Sequence, residues 1–305
     1  MRRILVAGEL NADLVMTGLP SLPVPGRELV GNGFRMALGS SSAITAARLS
    51  RLGAQVDFVG LVGDDDLGRY VLRELAHYGV GTDHVQVAAD GSTGVTIALT
   101  YEYDRALLTY PGLMSIFDGA MLTPELLSNY AHLHVGSFFL QTALQPNLPN
   151  VFRSAHEAGL TTSLDCGWDP AESWLQNSHL LPTLAETDIF LPNEDEVDAL
   201  GSLEALAARV RGTLVVKQGA NGATAYAKNG IPIHAKAVSV EVVDTTGAGD
   251  AFNAGFLYAI LIEGASLAEA LAFGAACGSE AVQHVGGATD APDTRAVRAW
   301  LSTRH

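Results

Sequence analysis

Positive charge is scarce in this 305-residue chain: 18 Lys and Arg stand against 33 Asp and Glu, a formal net charge of −15. Only Lys217, Lys228 and Lys236 are lysines. That balance excludes a broad nucleic-acid surface and argues against docking on an anionic membrane. An anionic small molecule stays compatible, because a helix N-terminus or a metal ion can hold one locally. Cysteine is almost absent. Cys166 and Cys277 are too few for a disulfide framework and too far apart for a metal-binding spacing, so buried free thiols in a reducing compartment are expected. Long apolar runs are also missing. The most apolar stretch, Ala251 to Ile262, is interrupted by Asn253 and is too short to cross a bilayer. The opening Arg2-Arg3-Ile4-Leu5-Val6-Ala7-Gly8-Glu9 reaches an acid before a signal-length apolar run develops. A cytoplasmic protein with no membrane partner is the expectation. No Gly-x-x-x-x-Gly-Lys-[Ser/Thr] occurs, no Gly-x-Gly-x-x-Gly follows the first apolar run, and the nine His show no His-x-x-x-His spacing. P-loop, dinucleotide-fold and zinc chemistry are thereby unsupported.

What is present is a large apolar fraction, 48%, with 17% charged residues and 32 Gly, the composition of a globular chain with many tight turns. The length points to one large domain with a smaller one appended, or to two. Ile4–Ala7 reads as a buried strand, and Val56–Val62 as another. Ala43–Leu52 reads as a helix ended by Gly53, and Leu67–Tyr78 as one capped by the acids at 64–66. Residues 14–39 carry repeated Gly and Pro and read as loops and exposed strands. Residues 94–109 are rich in β-branched and aromatic types and read as a hairpin turning at Asp104-Arg105. From residue 131 strands alternate with helices: strands at 132–135, 161–165, 188–191, 213–217 and 224–227, helices at 147–158, 172–186, 194–200, 203–211, 249–262, 266–284 and 293–302. The fold class that follows is α/β, a mostly parallel sheet with helices on both faces, plus a small β lid. Residues 1–13, 40–93 and 111–305 are assigned to the core, and 14–39 and 94–110 to the lid inserted in it.

The chemistry concentrates at Asp244-Thr245-Thr246-Gly247-Ala248-Gly249-Asp250, an apolar strand end that meets a small-residue turn and then a helix. The turn removes side chains where backbone must approach something closely, and the unpaired N–H groups of the helix start make an anion site. Asp250 is out of place in a phosphate cradle unless it accepts a proton from an attacking hydroxyl. Read alone, it is as well explained as a first-turn acid, whose position lowers its pKa.

The run from Asp244 to Phe256 resembles the C-terminal signature of the ribokinase-like (PfkB) family of carbohydrate kinases. Five further stretches are similar to that family in the same order: Gly8–Asp13, Leu38–Gly53, Val59–Gly68, Pro192-Asn193-Glu194-Asp195-Glu196 and Lys217–Gly222. The resemblance spans the chain and implies an ATP-dependent kinase acting on a primary sugar hydroxyl. Asp250 is then the base and Gly247, Ala248 and Gly249 the anion hole. Asn193 and Glu196 organise Mg²⁺ and its waters, while Lys217, Gly219 and Gly222 line the nucleotide. Asp244 and the Thr246 carbonyl, with the 282–288 segment, match a monovalent-cation site of the K⁺ type. Asn11 and Asp13 match residues that bond sugar hydroxyls, with Gly39, Ser40 and Gln141 beside them. The resemblance also suggests a homodimer formed through the lid.

Two departures bear on the substrate. Gly39-Ser40 and Ile44 stand where members carry Gly-Gly and an Asn, and Gln141 stands where ribose kinases tend to carry Glu. Ribose, fructose and ketodeoxygluconate-like sugars stay open, as does a nucleoside. A non-catalytic sensor is a further alternative, against which the intact Gly-Ala-Gly-Asp speaks. Tyr101, Tyr103 and Arg105 on the hairpin face an acidic sugar in one reading and are half-exposed strand residues in the other.

Overall fold

The computed structural model describes residues 2–101, 104–228 and 230–302. Arg3–Ala7 (β1) is apolar without alternation, as a strand covered on both faces should be. Its side chains divide between two cores: Ile4 and Val6 enter one, Leu5 and Ala7 the other. The further strands are β2 (Asn11–Leu19), β3 (Gly33–Leu38), β4 (Gln55–Gly63), β5 (Gly81–Ala88), β6 (Gly94–Tyr101), β7 (Asp104–Tyr110), β8 (His132–Val135), β9 (Thr161–Leu164), β10 (Ile189–Phe190), β11 (Thr213–Lys217), β12 (Ala223–Ala227) and β13 (Ile233–Ala235). The α-helices are α1 (Ser41–Leu52), α2 (Asp66–His77), α3 (Pro124–Leu127), α4 (Leu148–Glu157), α5 (Leu180–Leu184), α6 (Glu194–Leu200), α7 (Leu203–Arg209), α8 (Ala248–Leu257), α9 (Leu267–Ala281) and α10 (Thr294–Ser302).

Nine strands form one sheet in the order β13-β12-β11-β10-β9-β8-β1-β4-β5, parallel from β5 to β11 and antiparallel at β12 and β13. Helices α1, α2, α8 and α9 cover one face, and α4 to α7 the other. This is the doubly covered α/β sheet expected from the alternation.

A second sheet, in the order β3-β2-β6-β7, stands on the exits of β1 and the approach to α1. Its register sorts the side chains cleanly. Leu14 pairs with Met36 and Ile97, and Ile97 with Leu108, so these share one face with Met16, Phe34 and Leu99. Asp13 pairs with Thr96, and Thr96 with Thr109, putting them on the opposite face with Asn11, Arg35 and Arg105. One face is apolar and largely exposed, with Phe34 at 68% and Leu108 at 59%. The other is polar.

Several expected elements are corrected. Asp104 and Arg105 begin β7 and do not form the expected turn; residues 102–103, with Tyr103, lie outside the described residues. The single helix expected over 172–186 is a 3₁₀ turn at Trp174–Gln176 followed by α5. Asp169 accepts from the N–H groups of Ala171, Ser173 and Trp174, and Asn177 from that of His179, so side chains compete with the helical ladder. The last long helix stops at Ala281, where the backbone turns back toward Asp244. Strands β5 and β13, at the two sheet edges, have no counterpart among the strands expected from the sequence.

Candidate active site

The parallel strands all open their C-terminal ends along one edge of the sheet, the usual place for ligands in this architecture. Gly8–Asn11 leaves β1, Asp165 leaves β9, Asn193 follows β10 and Lys217 ends β11. Helices α1 and α8 start at this edge, and their N-termini meet: Ser41 Oγ donates to Asp250 Oδ1 at 2.5 Å. Ser41 was not singled out from the sequence, since nothing local distinguishes it within Ser40-Ser41-Ser42.

Asp250 is half-buried in the first turn of α8. Its pKa is pushed up to about 7, by desolvation first and then by the Asp165 carboxylate, against the opposing pulls of Ser41 and Lys217. The expectation that the helix start lowers it is therefore overturned, because burial among other acids outweighs the helix dipole. Gly247 begins the helix with φ at +72° and no side-chain cap. A Cβ there would lie 2.3 Å from the Gly287 Cα. Only glycine fits.

Where β2 begins, Asn11 Nδ2 donates to Asp13 Oδ1 and to Thr96 Oγ1, each at 3.0 Å. Burial raises the Asp13 carboxyl to about 6. Gly39 packs edge-on to this pair: a Cβ on it would sit 2.1 Å from Asp13 Oδ1. Ser40 and Gln141, expected to contact substrate, are turned inward instead. Ser40 Oγ caps α1 at Ala43 N and donates to the Glu9 carbonyl at 2.5 Å. Gln141 is fully buried, its amide donating to Gly136 O and to Glu9 Oε2. Both support Glu9, a buried acid that also receives Ser42 N and Oγ. Ile44, at 3% exposed, packs against Gly287.

Beyond the end of β11, a cavity of about 470 Å³ runs past Lys217, Gly219 and Gly222 to Phe252 and Val282, with mainly apolar walls. Gly222 has φ at +97° and lies against the Ala235 carbonyl, where a Cβ would clash at 2.0 Å. Lys217 is no strand-end solvent lysine: its Nζ donates to Asp165 Oδ2 at 2.6 Å. Asn193 and Glu196 form a capping box at the start of α6, Glu196 N donating to Asn193 Oδ1 and Asn193 N to Glu196 Oε2. Glu196 is also buried beside Cys166 and Asp165, and its pKa is raised to about 6 by desolvation and the Asp165 charge. Among the described residues, Asp165, Cys166 and Glu196 bring ligand atoms within 4.8 Å of one another. Burial keeps Cys166 a neutral thiol, so only the carboxylates suit a hard divalent ion; with Asp250 they make three acids against the ammonium of Lys217, an excess such an ion would relieve.

Asp244 Oδ1 accepts Thr246 N and Oγ1, while its Oδ2 accepts Gly286 N at 2.9 Å. The strand expected before Asp244 is not formed: Val242 and Val243 are exposed, and the irregular segment at Asp244 is instead tied to the 282–288 segment. Arg105 reaches down from β7 to donate to Thr245 Oγ1 at 2.7 Å and Thr246 Oγ1 at 3.2 Å. From β3, Arg35 donates to the Val285 carbonyl. The histidines of β8 take no part; His132 and His134 are buried on Ser163 and held neutral, with pKa values near 3 and 4.

Comparison with known proteins assigns the chain to a family. The model of the pfkB family carbohydrate kinases matches residues 1–294. The chain belongs to that family. It is 32% identical over 308 residues to the ATP-dependent ribose-1-phosphate kinase of Halopiger xanaduensis, covering 100% of this chain and 99% of that one. Arabidopsis thaliana ribokinase complexed with ribose and ATP superposes with a TM-score of 0.82 at 25% identity, covering 98% of both chains. Xylella fastidiosa fructokinase with bound ATP gives 0.85 at 24% identity, covering 99% of this chain and 98% of that one. The protein is a carbohydrate kinase.

Proposed function

We propose that the enzyme transfers the γ-phosphoryl group of ATP to a primary hydroxyl of a ribose-like sugar, free or 1-phosphorylated, with Asp250 as base. The observation that carries this is the meeting of Asp250 with Ser41 at the two helix starts, between the Asn11–Asp13 pair and the nucleotide cavity. Ser41 occupies Oδ1 and leaves Oδ2 to take the hydroxyl proton. As the sugar oxygen bonds to phosphorus, the bond to the ADP oxygen breaks, and the N–H groups of the Gly247-Ala248-Gly249 turn meet the charge on the transferring oxygens. Asn11 and Asp13 orient the sugar hydroxyls, and Gly39 gives them room. Ser40 and Gln141 act one step removed, by holding Glu9. Lys217, Gly219 and Gly222 line the nucleotide.

Mg²⁺ would be held through water by Glu196, with Asn193 fixing that side chain through the capping box, and would neutralise phosphate charge. A K⁺-type ion is assigned to Asp244, the Thr246 carbonyl and the 282–288 segment. The polar face of the β3-β2-β6-β7 sheet closes the site as a lid (residues 14–39 and 94–110), drawn down by Arg35 and Arg105. Its apolar face, with Phe34, Met36, Ile97 and Leu108, is assigned to a homodimer contact, since an exposed patch of this kind marks an interface. A cytoplasmic setting suits two buried free thiols.

A nucleoside acceptor is the second reading, favoured by the buried Ile44, which puts no amide toward a sugar. A coupled ADP-release screen over ribose, ribose 1-phosphate, fructose, 2-keto-3-deoxygluconate, inositols and nucleosides decides between them. Turnover on pentoses supports the first reading and turnover on nucleosides alone the second. Binding without turnover on any of them leaves a sensor.

A further inference from the structure

The carboxylate of Asp165 is where three elements distant in sequence meet. It follows β9 and is 4% exposed. Its Oδ2 accepts Lys217 Nζ from the end of β11 at 2.6 Å and Asn253 Nδ2 from α8 at 2.5 Å. Its Oδ1 accepts the Gly167 N–H at 3.1 Å. Asn253 is fully buried and lies one helical turn beyond Asp250. The Lys217 Nζ sits 3.3 Å from the point a Cβ on Gly249 would occupy, directly against the anion turn.

A lysine ends in a point charge on a flexible stem, so its position is set by whatever grips the ammonium. Here a charge-assisted bond supplies the grip, and the same oxygen is shared with the helix that carries the base. We propose that Asp165 is a positioning residue for phosphoryl transfer, anchoring the Lys217 ammonium against the Gly247–Gly249 turn and joining that anchor to α8 through Asn253. This rests on the kinase reading above. Without the anchor, the carboxylates of Glu196 and Asp250 still attract the Lys217 ammonium. An ammonium drawn to either one leaves the turn and distorts the site, while the sugar-side residues stay in place.

The scarcity of lysine makes the anchor directly measurable. Limited acetylation read by mass spectrometry distinguishes Lys217 from the exposed Lys228 and Lys236. In the wild type Lys217 should label at least about tenfold more slowly than the other two, and in Asp165→Asn it should approach them. In the same preparations, Asp165→Asn should lower kcat roughly 10–100-fold with the sugar KM within about twofold. Added to Lys217→Met, Asp165→Asn should cost less than about twofold more, because both changes remove one device. Lys217 still protected in Asp165→Asn, or losses that multiply in the double variant, would overturn the proposal. If Asp165→Asn does not fold, Asp165→Glu carries the test: Lys217 should stay slow to label while kcat falls at constant KM, and an unchanged kcat overturns it. A wild type without turnover on any acceptor refutes the kinase reading instead, and labelling alone then decides whether Asp165 holds Lys217.

Discussion

Replacing Asp250 by Asn keeps size and shape, lets Ser41 go on donating to the side-chain oxygen, and removes the proton acceptor. Turnover should fall by roughly 10²–10⁴-fold, the range for loss of a general base. Binding of ATP should stay the same or tighten, since a negative charge beside the phosphates is gone. Because the carboxyl titrates at about 7, it is the ionised form that accepts a proton. Wild-type kcat/KM should then rise with unit slope below about pH 7 and level off above it. The same shift governs stability. A folded-state pKa raised from 3.8 to about 7 contributes stability that is complete below pH 3.8 and is lost as the pH rises through 7. Three pH units correspond to about 4 kcal/mol, and solvent screening of a half-buried group reduces this to about 1–2 kcal/mol. Asp250→Asn should accordingly melt a few degrees higher than wild type at pH 8, with the gap closing by pH 4. Steady-state kinetics by coupled ADP release, nucleotide Kd by calorimetry and thermal melts at both pH values cover all three effects on one preparation. A variant with wild-type kcat, or a kcat/KM flat from pH 5.5 to 8.5 in the wild type, refutes the base assignment. A variant less stable than wild type at pH 8 refutes the burial cost.

Gly247→Ala should lose at least about 2 kcal/mol in urea unfolding together with most turnover, because a Cβ must displace Gly287 backbone at positive φ; wild-type stability would show the turn to be slack. Enzyme freed of divalent ions by EDTA should lose turnover and regain it with Mg²⁺, and full activity in EDTA would remove the Glu196 assignment. Rates should be higher in K⁺ than in Na⁺ or a bulky organic cation, and equal rates would remove the site at Asp244 and Thr246. Charge on the apolar lid face, as in Phe34→Glu with Leu108→Glu, should convert a dimer into a monomer by light scattering, whereas an unchanged mass would clear that face of the role.

How much of this was legible in the sequence depends on the range of the interaction involved. Strands such as 132–135 and 213–217, and the glycine at 247, follow from local pattern and backbone sterics, so they read directly. Ser41, Asp165 and the inward-turned Ser40 and Gln141 do not, since their partners lie across the fold: Asp165 meets Asn253, and Ser41 meets Asp250, only after the sheet has formed. The direction of the Asp250 shift was hidden for the same reason, as a helix-start effect is local and the opposing burial is tertiary. The break at 172–186 shows the reverse case, in which one local carboxylate, Asp169, defeats a good helical pattern.

The two-sidedness of the lid sheet makes the site sensitive to chain length in one short stretch. Moving β2 by a single residue against β6 would carry Asp13 to the outer surface and bring Leu14 to the sugar, exchanging every side chain on the strand at once. Between Gly8 and Asp13 the chain passes from the large sheet to the small one with no slack loop, so an insertion or deletion there reads out as inversion of the sugar-facing surface. Past the irregularity between Met16 and Leu19, the exposed connection over 20–32 can absorb added residues without altering what faces the site. Variation in length should therefore collect in that connection, and the few residues before Asp13 act as a fixed ruler for the sugar.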